Sequence, residues 1–168
     1  HAWIAAMEAE LEKDSRGLEL VKIAYGDDEF QKSVDETEAL LKNYPDLKAI
    51  CAPTTVGIMA AGKVLQDKGS ACKLTGLGLP SEMADYIGAD KSCPYMFLWN
   101  PIDIGRLAGY TAMALVGGQI TGAEGESFTA GTLGDYTIVA AADGGTELIL
   151  GPPFEFNPEN IEEWKTVY

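Results

Sequence analysis

Histidine is almost absent from this chain: the one residue, His1, stands at the first position. A Ser-His-Asp or Cys-His arrangement built within these residues lacks its base, which removes the usual nucleophilic chemistry; no catalytic residue is expected. Positive charge is also scarce. The 12 Lys and Arg are outnumbered by 26 Asp and Glu, for a formal net charge of −14 and a pI near 4.3. Nucleic acid and anionic membranes bind basic surfaces, so this balance argues against both and suits a neutral or cationic small ligand. No stretch approaches the ~18 apolar residues of a membrane span. The three cysteines, Cys51, Cys72 and Cys93, lack CxxC spacing and histidine partners, so no metal site is expected. There is no GxxxxGK[ST] loop. Gly76-Leu77-Gly78 follows an apolar run, but Leu79-Pro80 stands where a dinucleotide fingerprint needs its helix-opening glycine. The glycine pair reads as room for a tight strand-to-helix turn, and no cofactor is expected. An initiator Met is missing as well. The chain opens His1-Ala2-Trp3 inside a helical pattern, which reads as a fragment of a longer protein or a processed chain.

What is present is an alternation of helical and strand patterns. Residues Ala2 to Lys13 carry Trp3, Ile4, Met7 and Leu11 on one helix face. Leu18 to Tyr25 reads as a strand ending at Gly26-Asp27-Asp28, whose aspartates are placed to cap a helix from Glu29 to Asn43. Lys48 to Ala52 is a short continuous apolar strand, the kind buried on both faces, with Cys51 a buried thiol. A helix follows Pro53-Thr54-Thr55, from about Val56 to Asp67. Lys73 to Leu77 is a strand and Glu82 to Ile87 a short helix. Pro94 to Trp99 is a strand that runs straight into a helix from Pro101 to Val116. Asn100 can cap that helix, Pro101 suits its first turn, and Asp103 is placed to reach back as in a capping box. Its apolar stripe is Ile104, Leu107, Ala108, Thr111, Ala112 and Leu115. Such alternation with short loops predicts an α/β fold with a parallel sheet flanked by helices. After Gly117-Gly118 the pattern changes. Gly122 to Gly134 has no period, Tyr136 to Ala141 and Glu147 to Leu150 read as a C-terminal β-hairpin around Asp143-Gly144-Gly145, and Asn157-Pro158 starts a last short helix. Cys72 and Cys93 precede two strands at one sheet edge, and a disulfide between them is geometrically possible if those strands are neighbours.

Ligands of open α/β sheets bind at the carboxyl ends of the strands. Trp99 sits at such an end beside a helix start, and an aromatic face there suits the apolar C–H face of a sugar. Pro53, Thr54 and Thr55 occupy the equivalent place after the Lys48–Ala52 strand, with capping as the alternative role of the threonines. Asn100 has its capping role and could add a ligand contact. Trp3 and Trp164 fit helix faces and read as packing.

Several stretches, taken as a set in this order, resemble the periplasmic sugar-binding proteins of bacterial ABC importers. They are Tyr25-Gly26-Asp27-Asp28 with Gln31-Lys32-Ser33, Leu47-Lys48-Ala49-Ile50, and Ala52-Pro53-Thr54-Thr55-Val56-Gly57. Thr75-Gly76-Leu77-Gly78-Leu79-Pro80, Leu98-Trp99-Asn100-Pro101 and Leu150-Gly151-Pro152-Pro153 complete the set. The likeness is to the rhamnose-binding and autoinducer-2-binding branch of the type I, ribose-binding-like fold, and to the second half of such a protein. It implies two α/β lobes joined by three hinge crossings and closing on a small sugar, a rhamnose-like deoxy-sugar or a related pentose or polyol. Residues 1–99 would be the carboxyl-terminal lobe, 100–134 a helix and loop that cross to the amino-terminal lobe, and 135–168 the closing strands and tail. Asn100 and Pro101 would lie at a hinge. In the autoinducer-2 branch the turn matching Pro53 and Thr55 touches ligand, and Thr55 departs from the small apolar residue of that branch. The implied partners are the sugar and the membrane permease of the importer, and the implied location is the periplasm. If the other lobe is absent, the stripe on the helix after Pro101 would be exposed and two fragments could pair through it. Two rival readings are the effector-binding domain of a sugar-responsive transcription regulator and a sugar-modifying enzyme. A Cys72–Cys93 disulfide would favour the importer over the regulator.

Overall fold

Apolar residues spaced three and four apart form the first helix as the pattern predicts: α1 spans Ala2–Lys13. The computed structural model describes residues 2–168. After α1 come α2 (Phe30–Asn43), β1 (Ala49–Ala52), α3 (Thr55–Asp67), β2 (Lys73–Gly76), α4 (Pro80–Met83), β3 (Met96–Leu98) and α5 (Pro101–Val116). β4 (Ser127–Thr129), β5 (Asp135–Thr137), β6 (Val139–Ala140), β7 (Thr146–Glu147), β8 (Phe154–Phe156) and α6 (Ile161–Trp164) complete the chain.

β1 and β2 pair in parallel, from Ala49 opposite Lys73 to Ala52 opposite Gly76. A parallel bridge between Leu77 and Phe97 carries the sheet on to β3, and β8 returns antiparallel to β3. The expected α/β architecture with a parallel sheet flanked by helices is therefore present, and the last strand of the chain is folded back into it. One core lies here. Ile58 and Leu65 of α3, Leu74 of β2, Met83 of α4, Met96 of β3 and Phe156 of β8 are each at most 1% exposed. Trp164 and Tyr168 close over Phe156, with ring centroids 5.7 and 6.4 Å away. Trp164 is thus packing, as its helix position predicts. Gly76 has φ +149°, and a Cβ there would run into the Ala52 carbonyl oxygen. Gly78 is enclosed by Met96, Ile58 and Met83. Both glycines serve close strand packing.

A second core is built from residues after the Pro101 helix start. Leu107 and Ala114 of α5 pack with Ile120, Phe128, Ala130 and Ile138. The β4–β5 and β6–β7 pairs surround it. Its entry loop is folded around one carboxylate. Glu126 Oε2 accepts the backbone N–H groups of Thr121 (2.7 Å), Gly122 (2.9 Å) and Ala123 (3.0 Å), while the Thr121 hydroxyl donates to Oε1 at 3.0 Å. These donors, the Thr121 N–H first, hold the Glu126 carboxyl below its ordinary range.

Several expectations are corrected. Leu18 to Tyr25 forms no ladder and is not a strand among the described residues. β1 is not buried on both faces: Ala49 and Cys51 are exposed, because β1 has a partner on one edge alone. Cys51 is accordingly not a buried thiol. Asp27 and Asp28 do not cap α2. Both have left-handed φ (+52° and +58°) in the turn closed by the Glu29 N–H to Gly26 carbonyl bond, and the Asp27 carboxylate pairs with Lys32. Asp103 pairs with Arg106 at 3.2 Å instead of closing a capping box. Of the α5 stripe, Ile104, Ala108, Ala112 and Leu115 are exposed, as expected of this part of the protein alone, but Leu107 is buried, since the second core takes up the Leu107–Ala114 face. Residues 122–134 do contain a strand, β4, and of the expected second hairpin arm, Glu147 to Leu150, only Glu147 is laddered, together with Thr146 before it. Cys72 and Cys93 are free thiols within the first core, donating separately to the Lys73 and Tyr95 carbonyls. Burial pushes Cys93 up to about 12.

Candidate functional site

The carboxyl ends of β1 and β3 each deliver a helix N-terminus. After β1, Thr54 has extended backbone and its Oγ1 accepts the Gly57 N–H at 3.0 Å, starting α3 at Thr55. After β3, Asn100 Oδ1 accepts the Ile102 N–H at 2.9 Å and Pro101 opens α5. Both caps follow from residue type: a short oxygen-bearing side chain replaces the missing intrahelical acceptor. The caps leave polar capacity unspent. The Thr54 hydroxyl proton and the Asn100 amide N–H groups remain donors, and the first-turn N–H groups of α3 lie beside Pro53. Pro53 and Thr54 are exposed and Thr55 is half-buried.

Trp99 is half-buried, and its indole is tied down. Its Nε1–H donates to the Gly151 carbonyl at 2.7 Å. The bond joins the chain as it leaves the first core at Asn100 to the chain as it returns before β8. Trp99's remaining freedom is its ring surface, and Trp3 stands against it with centroids 6.0 Å apart at 61°. Trp3 is 51% exposed and lines an open cleft together with Asp27, Asp28, Pro53 and Thr54. Trp3 does pack, against Trp99, and it also lines the cleft that the Pro53–Thr54 turn borders. The helix spacing that placed Trp3 on the apolar face of α1 could not reveal Trp99 as its partner. The signal lay in its position at the first turn, which the crossover geometry brings to the strand carboxyl ends.

The ensemble can hydrogen-bond hydroxyl groups through Thr54, Asn100 and helix N–H donors, and can offer aromatic faces to an apolar C–H surface. Among the described residues no group of three His, Cys, Asp or Glu is placed to hold a metal ion, and no helix is long and apolar enough to cross a membrane.

Comparison with known proteins decides the family. Residues 1–120 match the model of the periplasmic binding protein domain. The chain belongs to the periplasmic binding protein domain family. It superposes on an ABC transporter solute-binding protein from Clostridium phytofermentans, solved with bound L-rhamnose, with a TM-score of 0.91 and 60% identity over 99% of this chain and 55% of that one. A sugar ABC transporter protein from Actinomyces odontolyticus is 41% identical, with a TM-score of 0.82 over 97% of this chain and 52% of that one. LsrB from Clostridium saccharobutylicum in complex with AI-2 shares the fold at 16% identity, with a TM-score of 0.83 over 96% of this chain and 54% of that one. This periplasmic-binding-protein chain thus spans about half the length of the structures it matches.

Proposed function

We propose that the chain is the carboxyl-terminal part of the substrate-binding component of an ABC sugar importer. The full protein binds a small sugar, a rhamnose-like deoxy-sugar or a related pentose or polyol, between two lobes, and delivers it to a membrane permease outside the cytoplasm. It is a binding protein without a catalytic step. The observation that carries the reading is the 60% identity, over nearly the whole chain, to a solute-binding protein holding L-rhamnose.

In this reading Trp99 offers its ring to the sugar while its N–H holds Gly151. Pro53, Thr54 and Thr55 form the facing turn, and Asn100 and Pro101 form the hinge at which residues 100–134 leave toward the other lobe. The second wall of the site belongs to the amino-terminal lobe. Closure around the sugar excludes water and strengthens each hydroxyl contact. The test is a thermal-shift series on the full-length protein with L-rhamnose, ribose, allitol and autoinducer-2. A ligand present at a hundred times its Kd adds about 2.7 kcal/mol to the folded state, enough for a clear rise in Tm. L-rhamnose is expected to give the largest rise. No rise with any of the four overturns the sugar assignment. The Cys72 and Cys93 thiols are free and so do not divide the importer from the regulator reading.

A further inference from the structure

The cleft at the strand ends encloses about 1010 Å³ and runs on as a groove along the edge of β1 that faces away from β2. Polar groups line it, among them the Asp28 carboxylate and the Thr54 hydroxyl. Trp3 lines it too, and it brings a surface of the opposite kind. It belongs to the first turn of α1, whose Ile4, Met7 and Leu11 line the groove. A helix therefore carries this ring, and helix-borne groups are placed more firmly than loop-borne ones.

Trp3 meets Trp99 with ring centroids 6.0 Å apart and planes inclined at 61°. Rings that meet edge to face leave an open corner between them instead of covering one another. Both keep free surface: Trp3 is 51% exposed and Trp99 is half-buried. The corner is poor in hydrogen-bonding groups. An indole has one donor and no acceptor, and the Trp99 Nε1–H is spent on the Gly151 carbonyl at 2.7 Å. The indole donor that is left, the Trp3 Nε1–H, sits on the rim of its ring and not on its face. A hydroxyl group pressed into such a corner gives up water without a replacement. A methyl group gains dispersion contact with both rings.

Resting on the reading of the full protein as a sugar-binding protein, we infer that Trp3 is a specificity-determining residue. The corner between Trp3 and Trp99 receives the exocyclic methyl group of a 6-deoxyhexose and rejects the hydroxymethyl group of the parent hexose. The ring hydroxyls of the sugar are left for the Thr54 and Asn100 donors. L-rhamnose and L-mannose isolate this choice, since they share every ring stereocentre and differ by one exocyclic oxygen.

The test is calorimetric titration of the full-length protein, and of its Trp3→Ala and Trp3→Phe variants, with these two sugars. The unaltered protein is expected to bind L-rhamnose about 100-fold more tightly than L-mannose, the order of discrimination an apolar pocket exerts against an added hydroxyl. Trp3→Ala is expected to bring that ratio below about 10, by weakening L-rhamnose and leaving L-mannose nearly unchanged. Trp3→Phe keeps a ring, deletes the N–H and is expected to retain more of the ratio than Trp3→Ala. Equal affinity of the unaltered protein for both sugars overturns the inference. So does an equal loss for both sugars in Trp3→Ala, the mark of a purely structural role or of a Trp3 covered by other parts of the full protein. A ratio that falls as far in Trp3→Phe as in Trp3→Ala overturns it as well, because the N–H then discriminates and not the ring. If Trp3→Ala does not fold, the unaltered protein decides by NMR. A nuclear Overhauser contact between the methyl protons of bound L-rhamnose and the Trp3 indole is expected, and its absence overturns the inference. These outcomes leave the sugar-binding reading standing, whereas binding of neither sugar overturns that reading and this inference with it.

Discussion

β1 and β2 are both four-residue strands and pair with each other in parallel, yet they live in different surroundings. Leu74 of β2 is 1% exposed between α3, α4 and β3. Ala49 and Cys51 of β1 are exposed and Ile50 is only half-buried. The residues of β1 are no less apolar. What differs is the neighbour on the second edge: β2 passes through Leu77 to β3, while β1 faces the groove. Burial is thus a property of the completed sheet more than of the strand's own sequence.

Substitutions measure that difference directly, each read by urea unfolding of the full-length protein. The largest effect is expected from Leu74→Ala, which opens a cavity in the first core and should cost about 3 kcal/mol. Ile50→Ala sharpens the comparison: with the groove filled it should approach the same cost, and with the groove open it should cost about 1 kcal/mol. Trp99→Phe keeps the ring and deletes the bond to Gly151. A loss of about 1–2 kcal/mol is expected, together with weaker sugar binding by calorimetry if closure depends on that tie. Thr54→Ala removes the α3 cap for about 1 kcal/mol. Glu126→Gln should have the smallest effect at neutral pH and a distinctive acid limb. A carboxyl held low stabilises the fold above its unfolded value of about 4.3 and loses that contribution as pH falls through its folded value. The variant should therefore show a flatter stability profile below about pH 4.3; an unchanged acid limb would remove the loop carboxylate from the account.

Much of the first region was legible in the sequence because it rests on local signals. The 3.6-residue spacing gave α1, and Asn100-Pro101 gave the start of α5. Thr54 gave the start of α3. Long-range pairing was not legible. Nothing near Phe154–Phe156 announces that it returns to β3, and Gly151-Pro152-Pro153 reads only as a break. Leu18–Tyr25 has the composition of a strand, but a strand exists only with a partner. For the site, Thr54, Asn100 and Trp99 stand at strand ends as their positions predict. Trp3 was missed because helix periodicity gives the face of a helix and not what stands opposite. The Trp99 N–H went to a carbonyl 52 positions away, beyond the reach of any local pattern.

That last bond has a kinematic consequence. Asn100 and Gly151 are two passages of the same thread, and the indole of Trp99 lashes them side by side. A displacement of one passage is therefore passed to the other through the indole. The side-chain tie between the two passages is one N–H···O contact of 2.7 Å.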